Sequence, residues 1–76
     1  MEYLKSVIPV IESNYDNFTT VERSIADFFI YNREEMDFSA KAVAGKLFVS
    51  EASLSRFAKK CGFKGYREFI YQYGEN

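Results

Sequence analysis

The residues best suited to chemistry lie between positions 49 and 66, which read VSEASLSRFAKKCGFKGY. The basic side chains of this stretch are Arg56, Lys59, Lys60 and Lys64. Lysine and arginine bind phosphate groups, and the planar fork of arginine also fits the O6 and N7 atoms of guanine. The serines that precede Arg56 are small enough to let a helix approach a groove closely. Taken alone, such a stretch is most often a solvated helix face, and it becomes a candidate surface for nucleic acid only if the surrounding elements position it.

Catalytic and metal-binding chemistry has little support elsewhere in the chain. The sequence contains no histidine, the commonest general base and metal ligand, and a single cysteine, Cys61. Cys61 follows Leu54 by seven residues and Phe57 by four, so we interpret it as a buried apolar residue on one helix face. None of the four glycines lies in a phosphate-binding glycine motif. We therefore expect neither enzymatic activity nor a bound cofactor or metal.

The length and composition indicate one small folded domain. The chain has 76 residues, of which 47% are hydrophobic. Its net charge is −1, but residues 1–37 hold three basic and eight acidic side chains, whereas residues 38–76 hold seven and three. This asymmetry favours a nucleic-acid partner for the second half. The lack of a long apolar run predicts no membrane span, and one cysteine fits a reduced, cytoplasmic setting.

Apolar residues at helical spacing predict two helices in the first half. One face of the first helix is formed by Leu4, Val7, Ile8, Ile11 and Tyr15. Because Pro9 lies within this helix, we expect a kink or two shorter pieces there. The second helix begins at Thr19, with a capping box that Glu22 completes. Its inward face is predicted to be Val21, Ile25, Phe28 and Phe29. Its outward face is predicted to be Glu22, Arg23, Ser24 and Asp27.

The second half predicts a helix-turn-helix over about residues 37–60. Ser39 is the expected N-cap of a helix from Ala40 to about Leu47, and Ser50 is the expected N-cap of the next helix. Only about three residues separate these helices. Phe48 occupies the turn, where glycine often supplies a positive φ, so we expect either another turn conformation or some strain.

The end of the motif leads into a last helix. Gly62 is predicted to end the second helix of the motif in a left-handed conformation, and the last helix begins near Tyr66. The predicted fold is all-α, with about five short helices in one homeodomain-like bundle.

The residues predicted to contact DNA lie on and beside the outer face of the motif's second helix. They are Ser39, Ser50, Glu51, Ala52, Ser53, Ser55, Arg56, Lys59, Lys60, Lys64 and Tyr66. Arg56 is the candidate for reading guanine, and the lysines suit phosphates. Glu51 could accept a hydrogen bond from cytosine N4, or it could stabilise its helix by interacting with the helix dipole. A solvated surface, or a protein-interaction module without DNA binding, is the alternative interpretation.

Two longer stretches carry a family resemblance. The segments FTTVERSIADFFIYN and SAKAVAGKLFVSEASLSRFAKKCGFKGYREF closely resemble the N-terminal domain of RpiR-type bacterial transcription regulators, from about Phe18 to Tyr71. The specific parts are Val49 to Ala52, Arg56-Phe57 and Cys61 to Tyr66. Phe48 departs from the pattern, since many members have glycine there.

The resemblance implies a sequence-specific DNA-binding domain that controls genes of sugar or phosphosugar metabolism. Such regulators act as dimers or higher homo-oligomers, and a symmetric pair implies an inverted-repeat operator. In this family a sugar isomerase (SIS) domain usually follows and senses a phosphosugar. The present chain ends at Asn76, so we expect residues 1–76 to be the DNA-binding domain, with the SIS domain and its effector site absent.

Overall fold

The computed structural model describes residues 7–74, which contain five α-helices and no strand. The helices are α1 (Ile8–Asn14), α2 (Thr20–Tyr31), α3 (Ala40–Leu47), α4 (Glu51–Lys60) and α5 (Tyr66–Gly74). The all-α prediction is confirmed. No helix in this part of the chain is long and apolar enough to cross a membrane.

The kink or division into two pieces predicted at Pro9 involves residues before Val7, which lie outside the described residues, so it stays a prediction. Helix α1 begins at Ile8, so Pro9 lies in its first turn, where the missing amide hydrogen costs no hydrogen bond. Helix α1 ends at Asn14, and Tyr15–Asn17 form one 3₁₀ turn before α2. Leu4, the first of the five apolar residues predicted to form one face of this helix, lies outside the described residues.

The predicted N-caps are confirmed. Thr19 Oγ1 accepts from the amide of Glu22 at 3.2 Å, and Glu22 Oε1 accepts from the amide of Thr19 at 2.9 Å. Ser39 and Ser50 each accept the amide three residues on, at 3.2 and 3.1 Å. These bonds satisfy amides that a helix leaves unpaired, and they set where α2, α3 and α4 begin.

Aromatic rings from three helices form the centre of the core. Phe29 of α2, Phe57 of α4 and Phe69 of α5 are at most 1% exposed. Their ring centroids lie 4.9 to 6.1 Å apart. Each such ring buries a large apolar area, which a domain of this size needs.

The inward face of α2 is rotated relative to the prediction. Val21 is 45% exposed and Glu22 is only 4% exposed, so the predicted positions of these two residues are wrong. The buried residues of α2 are Glu22, Ile25, Ala26 and Phe29. A carboxylate can occupy this face because hydrogen bonds and an ion pair compensate its loss of hydration.

The turn between α3 and α4 forces Phe48 into the left-handed region. Its φ and ψ are 59° and 43°. The amides of Phe48 and Val49 both donate to the carbonyl of Ala44, the latter at 3.0 Å. Within residues 7–74, Phe48 is the one residue other than glycine with a positive φ. Of the two predicted outcomes for this turn, strain is therefore the one that occurs.

We expect Phe48→Gly to be more stable than Phe48→Ala. Both changes remove the ring, but glycine also removes left-handed strain of about 1–2 kcal/mol, which exceeds its unfolded-state entropy penalty of about 0.4–1 kcal/mol. Chemical denaturation should show a difference of roughly 0.5–1 kcal/mol in the free energy of unfolding. The matched pair Lys46→Gly and Lys46→Ala, in ordinary helix, should differ in the opposite direction. Equal stability of the two Phe48 variants would contradict the strain.

Candidate nucleic-acid interface

Helix α4 presents one face to the core and the opposite face to solvent. The buried apolar residues of α4 and its C-cap are Leu54, Phe57, Ala58 and Cys61. Gly62, with a φ of 96°, ends the helix in the predicted left-handed conformation. The exposed residues of α4 are Glu51, Ala52, Arg56, Lys59 and Lys60, while Ser55 is half-buried. Six of the predicted site residues therefore share one accessible helix face or its edge.

The N-terminal end of α4 carries a small polar network. The hydroxyls of Ser50 and Ser53 lie 3.0 Å apart, and Arg56 Nη2 donates to Ser53 Oγ at 3.2 Å. Ser53 itself is buried, so it holds Arg56 rather than facing solvent. The guanidinium has five N–H donors, and no other partner for it occurs within residues 7–74. Arg56 is thus restrained over the first turn of α4 with most of its donors available.

Lys59 and Lys64 are exposed cations near the end of α4. Neither forms an ion pair with an acid in the described part of the chain. The backbone amide of Lys64 donates to Glu68 Oε1 at 2.7 Å, which fixes the loop that carries its side chain. Both side chains are therefore placed to bind an anion from outside the domain.

Lys60 has a different environment from the one predicted. Its Nζ donates to Glu22 Oε1 at 2.7 Å and to the carbonyl of Asn17 at 3.0 Å. Two of its three ammonium donors are therefore used inside the domain. This is the one salt bridge within residues 7–74, and it connects the end of α4 to the start of α2.

The carboxylate of Glu22 is the acceptor on which this connection depends. Burial on its own raises the pKa of Glu22, but hydrogen bonds from Lys60 and Thr19 outweigh that effect and leave the pKa below its ordinary value. The adjacent thiol has the opposite shift, since burial, followed by the charge of Glu22, raises the pKa of Cys61 to about 11. Cys61 is therefore an uncharged buried residue, as predicted.

The two neutral residues predicted to touch phosphate differ in availability. Tyr66 is buried, and its hydroxyl donates to the carbonyl of Phe38 at 2.8 Å, joining α5 to the segment before α3. Burial, followed by the charge of Asp37, raises the pKa of Tyr66. Ser39 is exposed at the N-terminus of α3 and lines a shallow groove together with Arg67.

Arg67 is a candidate that the sequence reasoning missed. It is exposed, it lies in the first turn of α5, and no acid within residues 7–74 pairs with it. The sequence could have identified it, because Arg67 directly follows Tyr66, and the contact predicted for Tyr66 placed the start of the last helix beside the interface. No three His, Cys, Asp or Glu side chains of the described residues are grouped so as to hold a metal ion.

Comparison with known proteins gives two matches. The family description "Helix-turn-helix domain, rpiR family" applies to residues 5–73 of this chain. The chain is also 30% identical over 74 residues to the HTH-type transcriptional regulator HexR of Pseudomonas aeruginosa. That alignment covers 96% of this chain and 26% of the regulator, so the chain spans about a quarter of the length of its relative.

Removal of the Glu22 charge is expected to destabilise the fold in a pH-dependent way. Glu22→Gln should cost about 1–3 kcal/mol at neutral pH, because it weakens a charged hydrogen bond to Lys60. The folded-state pKa of Glu22 is lowered, so its contribution is present above the ordinary glutamate pKa and is lost as the pH falls through the lowered folded-state pKa.

The measurement is the free energy of unfolding of both proteins at several pH values. The difference between wild type and Glu22→Gln should shrink as the pH is lowered. Glu12→Gln, at an exposed position of α1, is the matched control and should change stability by no more than about 0.5 kcal/mol. A Glu22→Gln effect as small as that of the control would show that the ion pair does not contribute.

Proposed function

Because the chain belongs to the rpiR family of helix-turn-helix domains, we propose that it binds DNA in a sequence-specific way as the DNA-reading domain of a transcriptional regulator. The observation that carries the proposal is the outer face of α4. There Arg56 is held by Ser53 over the N-terminal turn, and Lys59 follows it as a free cation. A face of this kind supplies both a base-reading fork and phosphate contacts.

In the proposed complex, α4 enters the major groove with its N-terminal end first. The small side chains of Ser50 and Ala52 let the helix approach the base edges, and Arg56 then reaches O6 and N7 of a guanine. Glu51 either accepts from a cytosine N4 or stabilises the helix dipole. Helix α3 braces α4 against the backbone, where Ser39 offers a neutral phosphate contact.

Phosphate binding is assigned to two exposed cations at and after the end of α4 that have no acidic partner within residues 7–74. Lys59 and Lys64 bind phosphates in this proposal, whereas Lys60 acts through its bond to Glu22. The bond holds the last turn of α4 against α2 and so sets the orientation of α4 relative to the rest of the domain. Ser53 and Tyr66 likewise act as positioning residues, since their hydroxyls are bonded inside the protein.

The finer features of the proposal concern the assembled regulator. A single small domain with one reading helix contacts few base pairs, so we propose a symmetric dimer on an inverted repeat. The proposed setting is the bacterial cytoplasm, with target genes in sugar or phosphosugar metabolism. The effector would be a phosphosugar bound by an SIS domain of the complete regulator.

Substitution of Arg56 should weaken specific binding. Arg56→Ala is expected to cost about 1–3 kcal/mol on a duplex selected from a random pool, and it should relax the preference at one base pair. Fluorescence anisotropy with the selected duplex and single-base variants measures both effects. Arg33→Ala removes the same charge from the connection after α2 and should retain the base preference. If Arg56→Ala bound every duplex as wild type does, the reading role would be wrong.

Salt dependence should separate the two adjacent lysines of α4. The slope of log K against log salt is negative, and loss of one phosphate contact reduces its magnitude by about 0.9, so Lys59→Ala should show this decrease in steepness. Lys60→Ala should keep the wild-type slope but lower the free energy of unfolding, because its ammonium bonds to Glu22 and Asn17. An equal decrease in slope for both variants would mean that Lys60 leaves Glu22 to bind phosphate.

The wild-type protein provides the test against the alternative function. A protein-interaction module would show no salt-dependent mobility shift with a mixed-sequence duplex. A DNA-binding domain should shift the duplex at low salt and release it as the salt concentration rises.

A further inference from the structure

Phe48 has a placement that the stability of the domain does not explain. Its ring is 94% exposed, and it belongs neither to the core nor to the hydrophobic residues that pack against the core. Its backbone adopts the left-handed conformation, which disfavours every residue with a side chain except in special contexts. Glycine would adopt this turn with less strain, and the ring makes no packing contact with the core that would compensate for that strain.

The turn restrains the backbone that carries the ring, beside the proposed interface. The amides of Phe48 and Val49 are both bonded to the carbonyl of Ala44, which restrains the backbone on either side. Phe48 lies two residues before Ser50, the N-cap of α4, so their Cα atoms are at most about 7 Å apart. A ring at this point adjoins the end of α4 that enters the groove.

The neighbours of Phe48 argue against a protein partner. The nearby exposed residues are Gly45, Lys46, Ser50 and Glu51, which are small, polar or charged. One phenyl ring offers about 200 Å² of apolar surface, whereas a stable protein interface needs about 800 Å² from each partner. A single apolar ring beside a lysine is better matched to DNA, whose backbone alternates apolar deoxyribose with anionic phosphate.

We propose that the ring of Phe48 packs against a deoxyribose of the DNA backbone at the edge of the groove that α4 enters. This inference rests on the proposed DNA binding and adds a contact without charge to it. A sugar is present at every nucleotide, so the contact contributes affinity and leaves the base preference unchanged. Burial of the ring against the sugar also gives the strained turn a role that glycine could not fill.

The test compares Phe48→Ala with wild type on the duplex selected by wild type. Phe48→Ala keeps the left-handed strain and removes the ring, and it should raise Kd about five- to tenfold, as partial burial of one ring implies. Its salt slope and its ranking of single-base variants should equal those of wild type. Phe48→Tyr retains the ring and should restore wild-type affinity. Circular dichroism confirms that each variant is folded, and light scattering reports its oligomeric state.

Three results would overturn the inference. Equal affinity of Phe48→Ala and wild type would show that the ring does not touch DNA, while the proposed function stands. A change in oligomeric state that accounts for the lost affinity would assign the ring to contact between copies of the chain. If wild type itself shows no salt-dependent binding to any duplex, the proposed function fails and this inference fails with it.

Discussion

The packing of Phe57 determines which residues of α4 can meet a partner. Its ring packs against Phe29 of α2 and Phe69 of α5, with centroids 6.1 and 5.2 Å away. Successive residues of a helix differ by about 100° in direction, so burial of both Phe57 and Ala58 directs the side chain of Arg56 away from the core. A rotation of α4 that brought Phe57 to the present position of Arg56 would expose its ring. The basic face therefore follows from an apolar contact on the opposite side of the same helix.

The Glu22–Lys60 pair adds a second restraint at the far end of α4. Replacing both partners of such an ion pair by apolar residues often changes stability little, whereas removing one partner is destabilising because the other loses its hydrogen bonds. The pair also sets geometry, because Lys60 bonds to both Glu22 and Asn17 and joins the end of α4 to the start of α2. Aromatic packing fixes the rotation of α4, and this pair fixes where its last turn lies. Together they define the orientation of α4 in the domain.

Local patterns in the sequence predicted the local features of the structure. The caps at Thr19, Ser39 and Ser50 and the left-handed end at Gly62 each depend on residues within about four positions of one another. The burial of Glu22, which was predicted to be exposed, and the hydrogen bond of Lys60 both depend on a contact between residues 38 positions apart. Tyr66 finds Phe38 across 28 positions. Charge and helical spacing carry no information about such partners, so free and engaged lysines look alike until the helices are packed.

The same distinction explains how a domain with a net charge of −1 can offer a binding surface to a polyanion. The domain measures 34 × 27 × 22 Å, while the screening length at physiological salt is about 8 Å. Charges on opposite sides of the domain therefore have little effect on one another, and a phosphate responds to the cations nearest to it. What matters is that Arg56, Lys59 and Lys64 have no acid paired with them in residues 7–74, whereas Glu22 neutralises Lys60. Below about 0.01 M salt the screening length approaches the size of the domain, and the acids of α1 and α2 would then oppose binding as well.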